Sequence, residues 1–171
     1  ASTNAYLLEI LAQEPGTPSG LVAAARRQTA GRGRAGRIWR SSPGRDLTFS
    51  FILRTQTAPD FWPSLGQAAA LAVAETVGER GVRAAVKWPN DVRVGGRKLA
   101  GLLVESPVTR IDGAPASSAK RVFVVGIGLN VNLSDSEAAE FDQPVTSLAI
   151  ETGREEPPEA VLRDLLEKIS N

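Results

Sequence analysis

The segment of this 171-residue sequence best suited to chemistry is rich in glycine and arginine. It reads GRGRAGR from Gly31 to Arg37. Seven arginines stand between residues 26 and 45, and no acid precedes Asp46 there. Exposed backbone N–H groups and planar guanidinium groups both favour a bound phosphate or carboxylate. Repulsion among these charges predicts a loop that is mobile when empty and ordered by an anionic ligand.

The loop alone leaves other interpretations open. A solvated basic loop, or an RNA-binding tract of the RGG type, has the same composition. The segment lacks the GK[ST] ending of a P-loop. Gly31, Gly33 and Gly36 have the GxGxxG spacing, but a strand rather than a helix is predicted to follow.

Three more segments combine residues that could line one pocket. They are KWPND (87–91), GRKLAG (96–101) and GIGLNVN (126–132). Each is also consistent with ordinary turn chemistry, but together they offer cations, an aromatic ring, side-chain amides and a carboxylate. Glycines inside an apolar strand weaken it unless another group must approach closely.

Composition narrows the chemistry. The sequence contains no cysteine and no histidine, and its net charge is +1. A disulfide framework, a thiol nucleophile and the commonest general base and metal ligand are therefore excluded. No run of about 18 apolar residues is present, so we expect a soluble cytoplasmic protein without membrane partners.

Hydrophobic periodicity and capping residues predict the elements that position these segments. The predicted fold is α+β, with a mixed, mostly antiparallel sheet and helices packed on it. A hairpin is predicted about Gly95 and Gly96, and residues 111–119 are predicted to form a loop. Helices are predicted after Ser2-Thr3-Asn4 and over 61–77, 137–141, 147–151 and 157–169, and strands over 21–25, 47–54, 84–89, 91–105 and 121–130.

These motifs, in this order, resemble the catalytic domain of biotin protein ligases. The resemblance rests on Ser2-Thr3-Asn4, QTAGRGRAGRIW from Gln28, KWPNDV from Lys87, RKLAGLLVE from Arg97 and GIGLNVN from Gly126. It implies a class II synthetase-like fold and one catalytic domain over residues 1–171, without an N-terminal helix-turn-helix or a C-terminal SH3-like domain. The cysteine of octanoyltransferases and the arginine-serine-glycine-glycine motif of lipoate ligases are absent.

The resemblance also implies an activity. Biotin and ATP, with magnesium as activator, would form biotinyl-5′-AMP and pyrophosphate, and biotin would then pass to a lysine of a biotin carboxyl carrier domain. The alternative is a truncated or remnant domain that binds biotin or biotinyl-AMP without efficient transfer. No DNA binding is expected, and a homodimer stays open.

Residue roles follow from the same resemblance. Lys87, Arg32 and Asp91 are the expected catalytic residues, with Asp91 also the expected magnesium contact and a candidate base for the transfer step. The ureido end of biotin is expected to contact Ser2, Thr3, Asn4 and Gln28. The loop expected to close over biotin and the phosphates comprises Gly31, Arg32, Gly33 and Arg34. The expected floor of the site comprises Gly101, Leu103, Gly126 and Gly128. Lys87 and Lys98 are expected to hold carboxylate and phosphate, Trp39 and Asn130 to lie near the nucleotide, and Asn90 to contact substrate.

Overall fold

A computed structural model describes residues 1–56, 61–107 and 121–170, and these form a six-stranded sheet with helices on both faces. The strand order is β1-β2-β6-β5-β4-β3, and every neighbouring pair is antiparallel. The predicted α+β class with a mostly antiparallel sheet is therefore confirmed. In chain order the elements are α1 (Thr3–Gln13), β1 (Val22–Ala24), β2 (Leu47–Thr55), α2 (Trp62–Gly78), β3 (Ala85–Lys87), β4 (Asp91–Val94), β5 (Arg97–Glu105), β6 (Arg121–Leu129), α3 (Asp135–Ala138), α4 (Leu148–Thr152) and α5 (Pro158–Ser170).

The two faces of the central strands are covered unequally. One face packs its buried apolar residues on the long helices α2 and α5, through residues such as Val73 and Leu165. The other face packs on α1 alone, through Leu7 and Leu11 against Ile52 and Val124. Because side chains alternate along a strand, the next positions on the α1 face are Gly126 and Gly128. Helix α1 is short and its apolar residues pack on Ile52 and Val124, so they do not cover the part of the sheet that contains these glycines.

Local sequence signals account for the element boundaries. Ser2 caps α1, since its hydroxyl accepts a hydrogen bond from the Ala5 N–H at 3.2 Å. Gly95 and Gly96 turn the β4–β5 hairpin as predicted, with φ values of 55° and 82° that glycine adopts without strain.

Within the arginine-rich segment, which was predicted as a loop, Arg34–Gly36 form a short 3-10 turn. The predicted bounds of two helices were wrong. Helix α1 begins at Thr3, with Ser2 as its cap, instead of after Asn4. Helix α3 spans Asp135–Ala138 instead of residues 137–141, and its earlier start follows from the reciprocal capping box of Ser134 and Glu137. The predicted loop over residues 111–119 lies outside the described residues. No helix in the described ranges has the length and apolar character needed to cross a bilayer.

Candidate functional site

The floor of the candidate site is made by glycines of two central strands. Gly101 and Leu103 of β5 pair with Gly128 and Gly126 of β6. They lie beneath a cavity of about 430 Å³ on the α1 face of the sheet. Because Gly101, Gly126 and Gly128 have no side chains, other groups can approach the backbone closely there.

The buried side-chain amide of Asn4 and the groups that bind it, from Ser50, Leu103 and Glu105, close one end of the cavity. We call this group the amide cluster. Asn4 is only 4% exposed, and its Oδ1 accepts a hydrogen bond from the Ser50 hydroxyl at 2.5 Å. Its Nδ2 donates to the Leu103 carbonyl at 3.2 Å and to Glu105 Oε2 at 2.8 Å. A Cβ on Gly126 would lie 2.0 Å from Asn4 Oδ1. The Asn4 amide therefore rests directly on the glycine floor, with its oxygen toward β6.

Gln28 links this cluster to the segment that leads into the arginines. Its Oε1 accepts from the backbone N–H of Thr3 at 2.8 Å and from the Thr3 hydroxyl at 3.2 Å. The Thr3 hydroxyl oxygen also lies 2.7 Å from the Ser50 hydroxyl oxygen. The N-terminus of α1, β2 and the start of the arginine-rich segment are thus tied together at the cavity wall.

The arginine-rich segment folds back on itself above the floor. Gly33 N–H donates to the Arg37 carbonyl at 2.7 Å, and Trp39 N–H donates to the Gly31 carbonyl at 3.0 Å. These bonds place the side chains of Arg32, Arg34 and Arg37 along the cavity. We call residues 31–39 the arginine loop.

The indole of Trp39 covers the other end of the glycine floor. A Cβ on Gly128 would lie 2.2 Å from Trp39 Cε2, and one on Gly101 would lie 3.0 Å from Trp39 Cζ3. The Lys98 ammonium is 5.6 Å from the centroid of the ring, within the range of a cation–π contact. Trp39 Nε1 is buried and has no hydrogen-bond partner among the described residues.

Asp91 is held between two cations. Its Oδ1 lies 2.8 Å from Lys98 Nζ, and its Oδ2 lies 3.1 Å from an Arg93 guanidinium nitrogen. Burial alone would raise the pKa of Asp91, but hydrogen bonds and charge attraction from Lys98 and Arg93 outweigh it and lower this pKa below its ordinary value. Asp91 is therefore a weak base and a fixed anchor for Lys98.

The same contacts bear on the expected magnesium site. Both oxygens of Asp91 are engaged by protein cations, and the described residues contain no cluster of three or more metal-ligating side chains. The predicted magnesium contact at Asp91 does not fit this arrangement.

Lys87 differs from Lys98 in its surroundings. It ends β3, is exposed and lines the cavity, and within the described ranges it is paired with no carboxylate. Trp88 follows it and is 74% exposed at the cavity rim. Lys87 is therefore a cation whose charge is available to a ligand.

Most of the predicted site residues line this one cavity, and two do not. Gly31 lies at the base of the arginine loop, and a Cβ there would meet the Trp39 carbonyl oxygen at 2.3 Å. Asn130 is buried, and its amide donates to the Thr146 carbonyl at 2.9 Å. The predicted residues that line the cavity are Ser2, Thr3, Asn4, Gln28, Arg32, Gly33, Arg34, Trp39, Lys87, Asn90, Asp91, Lys98, Gly101, Leu103, Gly126 and Gly128.

Several residues at the site were not predicted from the sequence. Arg37, Arg93 and Gln143 line the cavity. Ser50 and Glu105 hold Asn4 from two strands. Arg37 belongs to the GRGRAGR segment and could have been included on that signal, whereas Ser50 and Glu105 carry no local motif.

The fold and the site together define an α+β domain with a cavity that is lined by cationic side chains, a buried amide and glycines of the central strands. The chain belongs to the Biotin/lipoate A/B protein ligase family, whose model matches residues 1–116.

Individual relatives agree with this membership. The chain is 34% identical over 151 residues to the bifunctional ligase/repressor BirA of Bacillus spizizenii, covering 87% of this chain and 44% of that protein. It is 38% identical over 172 residues to the biotin–[acetyl-CoA-carboxylase] ligase of Paracoccus denitrificans, covering 96% of this chain and 66% of that protein.

A solved structure shares the fold. The biotin protein ligase of Aquifex aeolicus in complex with biotin and ATP matches with a TM-score of 0.78 and 32% identity, over 99% of this chain and 65% of that one. The chain thus spans less than half the length of the Bacillus relative and about two thirds of the Aquifex ligase.

Proposed function

We propose that this chain joins biotin to ATP as biotinyl-5′-AMP and supports transfer of biotin to a lysine of a biotin carboxyl carrier domain. The observation that carries the proposal is the polarity of the cavity. The cavity combines the buried Asn4 oxygen with the cations Lys87, Lys98, Arg34 and Arg37, which line it away from the Arg32–Glu105 pair beside Asn4. The named activities of the relatives, and the biotin and ATP in the Aquifex complex, support this assignment.

The amide end suits the ureido ring of biotin. Ser50 and Glu105 fix the Asn4 amide so that its oxygen, an acceptor, faces β6 and the floor. A ureido N–H would find this acceptor there. Because the glycines have no side chains, Asn4 and Trp39 lie close to the sheet, and the bicyclic ring and the aliphatic chain would pack against these two side chains.

The cationic end suits the reaction itself. The biotin carboxylate attacks the α-phosphorus of ATP, so a carboxylate O–P bond forms while the bond to the β-phosphate oxygen breaks, and pyrophosphate leaves with the electron pair. No proton is transferred in this step. Its main obstacle is the approach of two anions, which preorganised cations relieve without titrating near neutral pH.

The cations in the cavity divide this work. Lys87 lines the cavity and has no ion pair within the described ranges, so its ammonium is free to follow charge as it develops. Lys98 is fixed by Asp91 and stands over Trp39, which suits it to position rather than to move. Arg34 and Arg37 lie on the loop and would cover the phosphates as it closes.

In the transfer step an amine of the carrier attacks the carbonyl carbon of the adenylate. A C–N bond forms, the C–O bond to the phosphate breaks, AMP leaves with that electron pair, and the nitrogen releases its proton to water. The lowered pKa of Asp91 argues against this carboxylate as the proton acceptor. A homodimer and the absence of DNA binding stay predictions.

The test is biotin-dependent release of pyrophosphate from ATP by the purified chain. The matched variants are Lys87→Ala and Arg83→Ala, since Arg83 is an exposed cation four residues earlier that does not line the cavity. We expect release by the parent and by Arg83→Ala and its loss in Lys87→Ala. Release that is independent of biotin, or no release by the parent, would contradict the proposal.

A further inference from the structure

Glu105 joins two parts of the site that are far apart in sequence. Its Oε2 accepts a hydrogen bond from Asn4 Nδ2 at 2.8 Å and pairs with an Arg32 guanidinium nitrogen at 2.9 Å. The residue ends β5, and its contact with Asn4 places its carboxylate on the α1 side of the sheet. One carboxylate oxygen therefore connects the amide cluster with the arginine loop.

The contact with Asn4 determines which atom of that amide serves the ligand. Glu105 and the Leu103 carbonyl are both acceptors, so the atom that faces them must be the NH₂ group. The amide oxygen is then turned toward Ser50 and Gly126. Loss of the carboxylate would remove one of the constraints on this orientation.

The contact with Arg32 acts on the loop. An isolated pair at this exposure, 46% for the arginine and 26% for the glutamate side chain, contributes little. Here Asn4 already orders the carboxylate, so holding Arg32 requires less loss of side-chain freedom. Within the described ranges, Glu105 is the carboxylate paired with a side chain of the arginine loop.

We propose that Glu105 is a positioning residue that latches the arginine loop to the amide cluster through Arg32 and Asn4. Ordering of Asn4 by a ligand at the amide end then favours the closed loop, and a closed loop favours the same Asn4 orientation. The part of this inference that concerns biotin rests on the proposed function. The latch itself is a property of the ligand-free protein.

The first experiment needs no ligand. Limited trypsin digestion of the full chain is followed by mass spectrometry at the bonds after Arg34 and Arg37. In the parent, cleavage there requires the loop to open. Glu105→Ala is expected to speed cleavage about three- to tenfold, the scale of one lost charge-assisted contact in a partly exposed site. Arg32→Ala is expected to do the same, and the double variant to be no faster than either single one.

The controls separate the latch from general destabilisation. Glu79→Gln removes a surface pair with Lys168 (2.6 Å), whose residues do not line the cavity, and should leave loop cleavage unchanged. Glu105→Gln keeps the side-chain size and an acceptor for Asn4 but loses the charge that pairs with Arg32, so it should also speed loop cleavage and covers the case in which the alanine variant does not fold. Loop cleavage at the parental rate in the folded Glu105 variants, or effects of Glu105→Ala and Arg32→Ala that simply multiply, would overturn the latch.

The second experiment addresses biotin. Titration calorimetry is expected to show weaker biotin binding by Glu105→Ala, about five- to tenfold, with partial rescue by Glu105→Gln. The loss should persist when Arg32 is also alanine, because it acts through Asn4. Faster loop cleavage in a protein whose parent binds no biotin would support the latch and reject the proposed function. Normal biotin affinity in Glu105→Ala would overturn the Asn4 part of the inference.

Discussion

The substitution Gly126→Ala should weaken biotin binding at the amide end of the site far more than Gly128→Ala does. Both glycines lie on the same face of β6, two residues apart, and neither has a positive φ. At Gly126 the new Cβ would meet Asn4 Oδ1 at 2.0 Å and Cγ at 2.9 Å. At Gly128 it would meet the Trp39 ring at 2.2 Å.

The two obstructing side chains differ in how freely they can move. Asn4 is bound on both amide atoms, by Ser50, the Leu103 carbonyl and Glu105, so its displacement breaks several hydrogen bonds in a buried cluster. We expect Gly126→Ala to cost about 1–3 kcal/mol in stability through overpacking. Loss of the aligned acceptor should cost about 1–3 kcal/mol in biotin binding, or roughly 5- to 150-fold in Kd.

Trp39 loses less when it moves. Its indole N–H has no hydrogen-bond partner among the described residues, and the contact with Lys98 is a cation–π interaction at 5.6 Å. Gly128→Ala should therefore cost about 0.5–1 kcal/mol of stability. Its biotin Kd should stay within about threefold of the parent, which is less than 1 kcal/mol, while nucleotide affinity falls.

The assay is titration calorimetry with biotin for both variants, with urea unfolding to measure stability. Equal loss of biotin affinity in the two variants would show that the floor is a single undivided surface. A Gly126→Ala variant that binds biotin like the parent would refute the role given to Asn4.

Three further outcomes are expected. Lys87→Ala should slow adenylation at least about a hundredfold, the scale of one lost preorganised donor. Its circular dichroism spectrum should be unchanged and its ATP binding nearly normal. A rate within about threefold of the parent would show that Lys87 takes no part in the reaction. Tryptic cleavage over residues 26–39 should slow when biotinyl-AMP is bound, because the ligand relieves repulsion in the loop, and equal rates would count against an anion-ordered loop. Since the pKa of Asp91 is lowered below 3.8, its ionised form stabilises the fold above that pH, and this contribution disappears as the pH falls through the lower folded-state pKa. The urea midpoint should therefore fall less steeply between pH 6 and pH 2 for Asp91→Asn than for the parent. Parallel curves for the two proteins would contradict the ion pairs assigned to Asp91.

The secondary structure could be predicted well because its signals are local. The cap at Ser2, the glycine pair at 95–96 and the continuous apolar run of β6 each specify their element within a few residues. Helix α3 starts two residues earlier than its apolar pattern predicts, because the capping box between Ser134 and Glu137 sets its first turn.

The support of the site could not be predicted in the same way. Ser50 lies between Phe49 and Phe51 in β2, and Glu105 follows the apolar run at the end of β5. Their contact with Asn4 depends on β2, β6 and β5 lying side by side in a particular register. The glycines of GIGLNVN were expected to admit a ligand, whereas in the structure the groups that approach them are the side chains of Asn4 and Trp39.

Formation of the adenylate is the central claim, and it can be observed directly. The purified chain is incubated with biotin, ATP and magnesium, separated from free ligands, and analysed by native mass spectrometry beside Lys87→Ala. The account predicts that the parent retains a mass corresponding to biotinyl-5′-AMP, that omission of biotin abolishes it, and that Lys87→Ala shows little of it. A parent that retains biotin and ATP only as separate, unreacted ligands would contradict the account.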